Sequence, residues 1–565
     1  MTKLSQNNTL VTCENLNVSF STGKNSTQVL HDVSFEILSN EFVAVVGESG
    51  SGKSVMSKAL MGLLPVENSI INASQLVINN EEVLHFSSGD WSRFRGSVIS
   101  MIFQEPMSAL NPTITCGKQV AEILKQHTDL TKAQIKDKVI SLFQKVHLLQ
   151  PESLYHKYPH EISGGQMQRV MIAMAVACNP ILLIADEPTT ALDVTVQKEI
   201  IKLLKDIQQE FNMSVLFISH DLSLVRSIAD KVMVMYQGHI VEKGTVQSIF
   251  NEPKERYTKA LLAARPDLNE RVEVLPTISD FLDNNYSKKL VDAVQREHSL
   301  KTMYTQEPLI QIKDLKKVYE VKNGWFNKSN AFTAVNGVSF NIFPGESLGL
   351  VGESGCGKST LGNIILGLKE ATSGSVLYKG TQVVGQSQKS LRKMRRQMQI
   401  IFQDPFASLN PRLTVGSAIL EPMSWYKIGS SNKERELMVK ELLVKVGLKE
   451  EHYYRYPHEF SGGQRQRIGV ARTIALRPEF IVCDESVSAL DISVQAQVLN
   501  LLNTLKQEFG FSYLFISHDL AVVKHFCDRI VVMNKGEIEE IQESEQLYKN
   551  PQKMYTKKLI QAIPN

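Results

Sequence analysis

The sequence predicts an α/β chain of two tandem domains, each with a parallel β-sheet covered by helices. Its 565 residues exceed what one hydrophobic core organises, and a hydrophobic content of 43% is sufficient for two cores. Short β-branched runs alternate with stretches of helical periodicity, which is the order typical of parallel sheets. One set of motifs also occurs twice, and its later members are offset by 298 positions.

The repeat sets the predicted domain boundaries. The first domain is predicted over residues 8–265 and the second over 307–565. Residues 266–306 are polar, charged and weakly patterned, and we interpret them as a linker with a short helix near 288–297.

The first element of each repeat is a glycine-rich loop, G-x-x-x-x-G-K-S, between a β-branched run and an apolar helix. Glycines let backbone N–H groups face an anion, and the helix adds its positive N-terminal end. We expect the lysine to reach the β- and γ-phosphates of a nucleotide and the serine to bind Mg²⁺. A lone match is compatible with an ordinary glycine turn, but two matches in this context favour phosphate binding. The predicted loop residues are Gly47, Glu48, Ser49, Gly50, Ser51, Gly52, Lys53 and Ser54, and Gly352, Glu353, Ser354, Gly355, Cys356, Gly357, Lys358 and Ser359.

A pair of acids ends a buried run in each half, Asp186-Glu187 and Asp484-Glu485. The first acid suits Mg²⁺, which keeps much of its water shell. The second acid is a candidate to orient the attacking water and accept its proton. An isolated pair is about as often a solvated loop, but its repeated position downstream of a phosphate loop argues against that alternative.

A serine-glycine-glycine-glutamine motif opens a helix in each half. Serine followed three residues later by glutamine has the spacing of a capping box, and the helix end favours an anion. Taken alone, the motif predicts only a capped helix; beside the loops, it is a second candidate phosphate-binding element. Its residues are Ser163, Gly164, Gly165 and Gln166, and Ser461, Gly462, Gly463 and Gln464.

A histidine follows a buried run 33 residues after each glutamate, at His220 and His518. We expect these side chains to contact the γ-phosphate, although a lone histidine is more often structural. Phe20 and Tyr319 precede the loops at matching places and are candidates to stack on adenine, the alternative being simple packing.

Together these residues resemble the ATP-binding-cassette ATPases over nearly the whole chain. The resemblance implies P-loop NTPase domains with a RecA-like parallel-sheet core, an antiparallel β-subdomain and an α-helical subdomain. It makes Glu187 and Glu485 catalytic bases, with His220 and His518 as switch histidines. It also implies Q-loop glutamines that bind the metal at Gln104 and Gln403, Walker B acids at Asp186 and Asp484, and D-loops at 191–193 and 489–491.

The same resemblance implies composite sites. Each ATP would lie between the phosphate loop of one domain and the serine-glycine helix of the other. Lys53 would thus share a site with Ser461, and Lys358 with Ser163. Hydrolysis would remove the bridging contacts and let the domains separate.

Several segments resemble the oligopeptide/dipeptide importers: the surroundings of both Q-loop glutamines, and Tyr257–Leu262 and Tyr555–Leu559. A fused pair of domains resembles the ATPases of microcin C and peptide importers, or of the glutathione importer. Such systems contain two transmembrane permease subunits that bind grooves at the Q-loops, here 104–118 and 403–416, and act indirectly with a periplasmic binding protein. The four-cysteine motif found in some of these ATPases is missing, so no iron–sulfur cluster is expected.

Composition argues against several other classes of protein and site. A net charge of +3 gives no support for a nucleic-acid partner, and the six cysteines lack the spacing of zinc or disulfide sites. No run approaches the ~18 apolar residues of a transmembrane helix, and the polar N-terminus does not resemble a signal peptide. If the protein works at a membrane, another chain must provide the membrane-spanning part. The resemblance to importer ATPases implies a peripheral protein on the cytoplasmic face of the inner membrane.

The main functional prediction is the ATPase of a peptide importer. Glutathione, nickel or another small imported solute is the alternative within this class. A soluble twin-cassette ATPase acting on the ribosome would usually have a long, highly charged helical linker. Residues 266–306 are short, mixed in charge and not continuously helical in pattern, which disfavours this class. A chromosome or repair ATPase would need a long coiled coil between the phosphate loop and the serine-glycine motif, and the sequence contains no such insertion.

Overall fold

The computed structural model describes residues 9–23, 25–189, 194–264, 270–283, 287–321, 330–404, 408–488, 490–561 and 563. They form two compact units, one up to Ala263 and the other from Ala264 onward. The division lies next to the end predicted for the first domain, whereas the described part of the predicted linker belongs to the second unit.

The first unit contains an antiparallel sheet, ordered β2-β1-β5-β6 with β4 beside β1, and a core sheet, ordered β11-β10-β3-β9-β8-β7. Pairing in the core sheet is parallel except between β10 and β11. The strands are β1 (Thr9–Thr22), β2 (Asn25–Leu38), β3 (Phe42–Val46), β4 (Ser69–Asn72), β5 (Gln75–Ile78), β6 (Glu81–Glu82), β7 (Ile99–Ile102), β8 (Leu182–Asp186), β9 (Ser214–Ile218), β10 (Lys231–Tyr236) and β11 (His239–Thr245).

Helices cover the core sheet and build a separate helical group. The group comprises Cys116–His127, Lys132–Lys145 and Gly164–Ala175, which contact one another. The other helical segments are Lys53–Leu60, Ser88–Phe94, Pro106–Ala109, Pro151–Tyr155, Pro159–Glu161, Val194–Phe211, Leu222–Ile228, Val246–Asn251 and Arg256–Ala263.

The second unit repeats this plan, with an antiparallel sheet ordered β13-β12-β15-β16 and a core sheet ordered β17-β18-β19-β14-β20-β21. Its strands are β12 (Ile310–Val321), β13 (Asn330–Ile342), β14 (Ser347–Val351), β15 (Ser373–Tyr378), β16 (Thr381–Gln382), β17 (Met398–Ile401), β18 (Phe480–Asp484), β19 (Ser512–Ile516), β20 (Arg529–Asn534) and β21 (Glu537–Glu543). Its helical segments are Ile278–Leu282, Ala293–Tyr304, Lys358–Ile365, Gln388–Gln397, Val415–Trp425, Asn432–Lys445, Glu450–Tyr454, Pro457–Glu459, Gly462–Ile474, Ile492–Phe509, Leu520–Phe526, Ser544–Lys549 and Met554–Gln561.

The core strands are continuous apolar runs because both faces of a parallel sheet are covered. Every residue of β3, β8 and β9 is buried, as is every residue of β14 and β19. The predicted division into a parallel core, an antiparallel sheet and a helical group is confirmed in both units.

Strand order places the functional motifs at one edge. In the first unit the neighbours β3, β9, β8 and β7 are parallel, so their carboxyl ends meet. The phosphate loop follows β3, His220 follows β9, the acids end β8, and Gln104 follows β7. Loops at the carboxyl ends of parallel strands are where ligands bind in such sheets.

The predicted linker packs against the second unit. The Arg271 guanidinium donates to three acceptors, each at 3.1 Å: the carbonyls of Lys524 and Cys527 and the hydroxyl of Ser544. The backbone N–H of Leu275 donates to the Asn500 side chain at 2.9 Å, and the Asn500 amide donates back to the Leu275 carbonyl at 2.8 Å. These paired hydrogen bonds fix the segment to the domain that follows it.

The helix predicted near 288–297 lies further along the chain, at Ala293–Tyr304. Asp292 determines its start because its carboxylate accepts hydrogen bonds from the backbone N–H groups of Val294 and Gln295. Arg296 then forms an ion pair with Glu543. In the described part of the chain, no helix has both the length and the apolar character needed to cross a bilayer.

Candidate active sites

The first phosphate loop turns tightly between β3 and the helix that begins at Lys53. Gly47 has φ of +154°, and a Cβ there would lie 2.2 Å from the carbonyl oxygen of Met235, so only glycine fits. Lys53 is only 5% exposed, and its ammonium donates to the carbonyls of Gly47 at 2.8 Å and Glu48 at 2.7 Å. The loop therefore holds a buried positive charge with its own backbone oxygens.

The second loop repeats this geometry. Lys358 is also 5% exposed and donates to the carbonyls of Gly352 at 2.8 Å and Glu353 at 2.9 Å. Cys356 occupies the position of Ser51, and its sulfur lies 4.0 Å from the lysine Nζ. Burial raises the pKa of this thiol, which favours its neutral form.

The serine and the first acid of each set are in contact. The hydroxyl of Ser54 donates to Asp186 Oδ1 at 3.2 Å, and that of Ser359 donates to Asp484 Oδ1 at 2.8 Å. Burial raises the pKa of both carboxyl groups, and the serine hydrogen bonds only partly oppose it. Each pair presents oxygen atoms at a place where a buried negative charge is unfavourable.

The second acid, the glutamine and the histidine form a cluster beside each pair. Gln104 Nε2 donates to Glu187 Oε2 at 2.9 Å, and His220 Nδ1 lies 3.3 Å from the same oxygen. Gln403 donates to Glu485 Oε2 at 2.9 Å, and His518 Nδ1 lies 3.6 Å from it. These residues are far apart in sequence, and the sheet brings them together.

Both glutamates have left-handed backbone conformations. Glu187 and Glu485 each have φ of 46°, an uncommon value for a non-glycine residue. Their backbone N–H groups donate to the carbonyls of Ile218 and Ile516, each at 3.0 Å. This turn directs each side chain toward the glutamine and the histidine. Such backbone strain is typical of functional sites.

Electrostatics favour the charged forms of His220, His518 and Glu485. Burial lowers the pKa of His220 and His518, but the hydrogen bond and charge of the neighbouring glutamate outweigh it, so both pKa values lie above the usual histidine value. Burial raises the pKa of Glu485, but His518 and Lys358 together bring it below its usual value. In this arrangement the Glu485 carboxylate is a weakened base.

The serine-glycine helices have the predicted capping boxes. The N–H of Gln166 donates to Ser163 Oγ at 3.3 Å, and the Ser163 N–H donates to Gln166 Oε1 at 3.0 Å. Ser461 and Gln464 are paired in the same way.

The two glycines of this motif differ in environment, which the sequence did not indicate. A Cβ at Gly463 would lie 2.3 Å from Val494 Cγ1, and one at Gly165 would lie 3.2 Å from Val196 Cγ1. Gly164 and Gly462, by contrast, have no atom within 4 Å of that position. The second glycine permits internal packing, and the first leaves open space above the helix end.

The remaining predicted residues lie in varied settings. Phe20 packs against the hydrophobic core of the first unit. The Tyr319 ring has Lys317 and Lys369 ammonium groups 5.1 and 5.6 Å from its centre. The predicted D-loop 191–193 and residue 489 of the other D-loop lie outside the described residues, as do residues 405–407 of the second Q-loop segment.

Two tyrosines that were not predicted as site residues contact the loops. The Glu48 N–H donates to the Tyr257 hydroxyl at 3.0 Å, and the Glu353 N–H donates to the Tyr555 hydroxyl at 3.2 Å. In the sequence, both tyrosines were noted only because their segments resemble those of peptide importers. A tyrosine that follows each phosphate loop at a similar distance, 209 residues after Glu48 and 202 after Glu353, was the available signal.

A phosphate loop after a parallel strand, a serine–aspartate pair and a glutamate–glutamine–histidine cluster define a P-loop ATPase. The ABC transporter family matches residues 30–190 and 335–488, and the oligopeptide/dipeptide transporter C-terminal region matches 241–285 and 540–565. The chain belongs to the ABC transporter family, as an ATPase of the oligopeptide/dipeptide class. The resemblance inferred from the motifs is thereby confirmed.

Two named relatives agree with this assignment. The chain is 43% identical over 558 residues to the glutathione import ATP-binding protein GsiA of Escherichia coli K12, covering 98% of this chain and 89% of that protein. The Shigella flexneri protein of that name is 42% identical with the same coverage. Among solved structures, a dimeric post-hydrolysis state of the ATP-binding cassette MJ0796 with ADP and Pi has 30% identity and a TM-score of 0.38, covering 42% of this chain and 98% of that one.

The raised carboxyl pKa values predict a pH-dependent effect. A folded-state pKa above the unfolded value means that the native state loses stability as pH rises between the two values. We therefore expect Asp186→Asn and Asp484→Asn to raise the thermal midpoint of the nucleotide-free protein at neutral pH. The gain should shrink as pH falls toward the ordinary aspartate pKa.

The exposed Asp137→Asn variant is the control and should leave the midpoint unchanged at every pH. Added MgATP should stabilise the unaltered chain more than either site variant, because ligand binding shifts apparent stability. A lower midpoint for Asp186→Asn at neutral pH would contradict the unfavourable charge burial.

Proposed function

We propose that this chain is the energy-coupling ATPase of an importer for peptides or peptide-like solutes. It would act peripherally at the cytoplasmic face of the cell membrane, on two transmembrane permease subunits, with a periplasmic binding protein delivering the solute. The observation that carries the proposal is the C-terminal region of oligopeptide/dipeptide transporters in both halves, beside two complete sets of site residues. Glutathione is itself a small peptide, so the names of the relatives favour short peptides of this kind.

The residues present suit an ATP–Mg²⁺ complex. Among the described residues, no group of three or more His, Cys, Asp or Glu side chains is arranged to hold a metal. A hydroxyl and a carboxylate, with oxygens from phosphate and water, suit Mg²⁺, and the ion would neutralise charge on the phosphates. Ser54 with Asp186, and Ser359 with Asp484, would hold it, with Gln104 and Gln403 nearby.

In each site the buried lysine would bind the β- and γ-phosphates. Glu187 and Glu485 would orient the attacking water and accept its proton. The hydrogen bond and charge of His518, with the charge of Lys358, lower the pKa of Glu485 and so reduce its basicity in the nucleotide-free arrangement. Release of the His518 contact when nucleotide binds would restore the basicity of Glu485, so this site would hydrolyse little ATP before it is complete.

We propose further that the sites are composite. The phosphate loop of one domain would face the serine-glycine helix of the other, joining Lys53 with Ser461 and Lys358 with Ser163. Support comes from the open space above Gly164 and Gly462 and from the capped helix ends, whose backbone N–H groups suit an anion. Loss of the γ-phosphate contacts would then separate the domains and drive the permease.

The helical groups supply candidate surfaces for the permease subunits. In the second unit a cavity of about 620 Å³ is lined by Leu413, Ser417, Leu420, Glu421, Ser424 and Trp425. Trp425 is 69% exposed, an unusual position for a large aromatic side chain. We propose that this cavity and the adjoining Q-loop segment receive a short permease helix, which links Gln403 to the membrane partner.

Replacing both proposed bases tests the chemistry. Glu187→Gln with Glu485→Gln should retain ATP binding and lower the ATP hydrolysis rate by roughly a hundredfold or more, because proton acceptance is lost. Steady-state phosphate release and equilibrium ATP binding measure the two effects. The exposed Glu210→Gln variant should match the unaltered chain. Near-normal turnover in the double variant would refute the assignment.

Cysteine crosslinking tests the composite sites. The background for this test is the double variant Glu187→Gln with Glu485→Gln, in which Cys356→Ser also removes a thiol from the second phosphate loop. In this background, Ser49→Cys with Ser461→Cys should form a disulfide when ATP is added, because both positions would flank one nucleotide. The mismatched pair Ser354→Cys with Ser461→Cys should not crosslink. The reverse pattern would place each nucleotide within one domain and overturn the composite arrangement.

The transport role is tested by uptake and co-purification. Cells lacking this chain should lose uptake of labelled glutathione or a tripeptide, and the intact chain, but not Lys53→Met, should restore it. The chain should co-purify with membrane permease subunits. Recovery with ribosomes and without a permease would overturn the proposed function.

A further inference from the structure

The contact between the C-terminal tyrosine and the phosphate loop occurs in both units. Tyr257 lies in the helix Arg256–Ala263 and Tyr555 in the helix Met554–Gln561. Their hydroxyls accept the backbone N–H of Glu48 at 3.0 Å and of Glu353 at 3.2 Å. Each tyrosine is about 200 residues from its loop in sequence, so the contact depends on the fold.

The residue held by the tyrosine also holds the lysine. The Glu48 N–H binds Tyr257, and its carbonyl accepts the Lys53 ammonium at 2.7 Å. In the second unit, Glu353 is bound at its N–H by Tyr555, and its carbonyl accepts Lys358 at 2.9 Å. The backbone on both sides of one residue is thus fixed, and any shift of this residue moves an oxygen that positions the ammonium.

A carboxylate fixes the start of each tyrosine helix. Glu242 on β11 accepts the backbone N–H groups of Lys254 at 2.8 Å and Glu255 at 3.2 Å, just before Tyr257. Glu540 on β21 does the same for Gln552 at 2.8 Å and Lys553 at 3.1 Å. The strand, the turn, the helix and the loop therefore form one connected set of hydrogen bonds in each unit.

Both tyrosines are at least partly buried. Tyr257 is 4% exposed, and its ring stacks on Tyr236 with ring centres 4.2 Å apart. Burial raises the pKa of Tyr555 to about 12, so its hydroxyl remains neutral at physiological pH. Without the tyrosine hydroxyl, the partly buried loop N–H would lose this hydrogen bond.

We propose that Tyr257 and Tyr555 are positioning residues that fix the two phosphate loops and thereby set their affinity for nucleotide phosphates. The segment that resembles peptide importers then has a direct role at the ATP sites. This inference rests on the proposed binding of phosphates by Lys53 and Lys358. The tyrosines act through the loop backbone and take no part in the chemistry.

The test uses the full-length chain and MgATP, without a permease. Tyr257→Phe combined with Tyr555→Phe keeps both rings and removes only the hydroxyls. The KM for ATP should rise roughly 5-fold to 30-fold, the range for loss of one hydrogen bond at each loop. The kcat should stay within about two-fold, because the water-activating residues are untouched. Each single variant should show a smaller rise.

Matched controls separate positioning from general destabilisation. Tyr236→Phe removes a hydroxyl from the same stacked pair, which accepts only from the Gln237 side chain among the hydrogen bonds described for it. Tyr548→Phe removes a partly buried hydroxyl that donates to the Leu520 carbonyl in the second unit. Neither control should change KM, whatever its effect on the thermal midpoint.

An unchanged KM in the double tyrosine variant would overturn the inference. So would a parallel fall in kcat and thermal midpoint with KM constant, since that pattern reports only lost folded protein. ATP binding by the double variant Lys53→Met with Lys358→Met distinguishes a failure of the proposed phosphate binding from a failure of the tyrosine inference. Retained affinity there would overturn both the phosphate assignment and this inference. Lost affinity there with unchanged KM in the tyrosine variant would overturn the inference alone.

Discussion

A buried lysine ammonium bound to the carbonyl oxygens of its own loop is the interaction on which each site depends. Lys53 and Lys358 are removed from water, and a buried charge is unfavourable unless it is paired with polar groups. The loop carbonyls can point inward only because the chain turns where Gly47 and Gly352 leave no room for a side chain. The sheet edge, the flanking acids and the tyrosine contact all surround this bound charge.

Neighbouring carboxyl groups in the second site have opposite pKa shifts. Asp186 and Asp484 have raised pKa values because burial disfavours their charge, and a divalent ion would remove this cost. The adjacent Glu485 has the opposite shift, since His518 and Lys358 stabilise its anion and lower its pKa. The surroundings of two neighbouring carboxyl groups, Asp484 and Glu485, thus shift their pKa values in opposite directions.

The duplication preserves the site but not its surroundings. Every hydrogen bond from the lysine to the loop carbonyls recurs, as do the serine–aspartate and glutamine–glutamate contacts. The supporting residues differ: Cys356 replaces Ser51 in the loop, and Asn534 stands where Tyr236 stacks in the first unit. The hydrogen bonds of the site are therefore the same in both units, whereas the packing around them differs between the units.

The sequence by itself determined the local features, because they depend on neighbouring residues. Glycine loops, capping boxes such as that of Ser163, and buried strands ending in acids follow from backbone geometry and side-chain type. The tertiary structure alone decided which distant groups meet. Gln104 reaches Glu187 because β7 and β8 are neighbours, and the predicted linker is docked because Arg271 finds carbonyl acceptors on a helix end some 250 residues away. It also decided that Gly165 packs internally while Gly164 stays open, and that Tyr257 holds the first loop. Such contacts depend on strand order and packing, which no local pattern records.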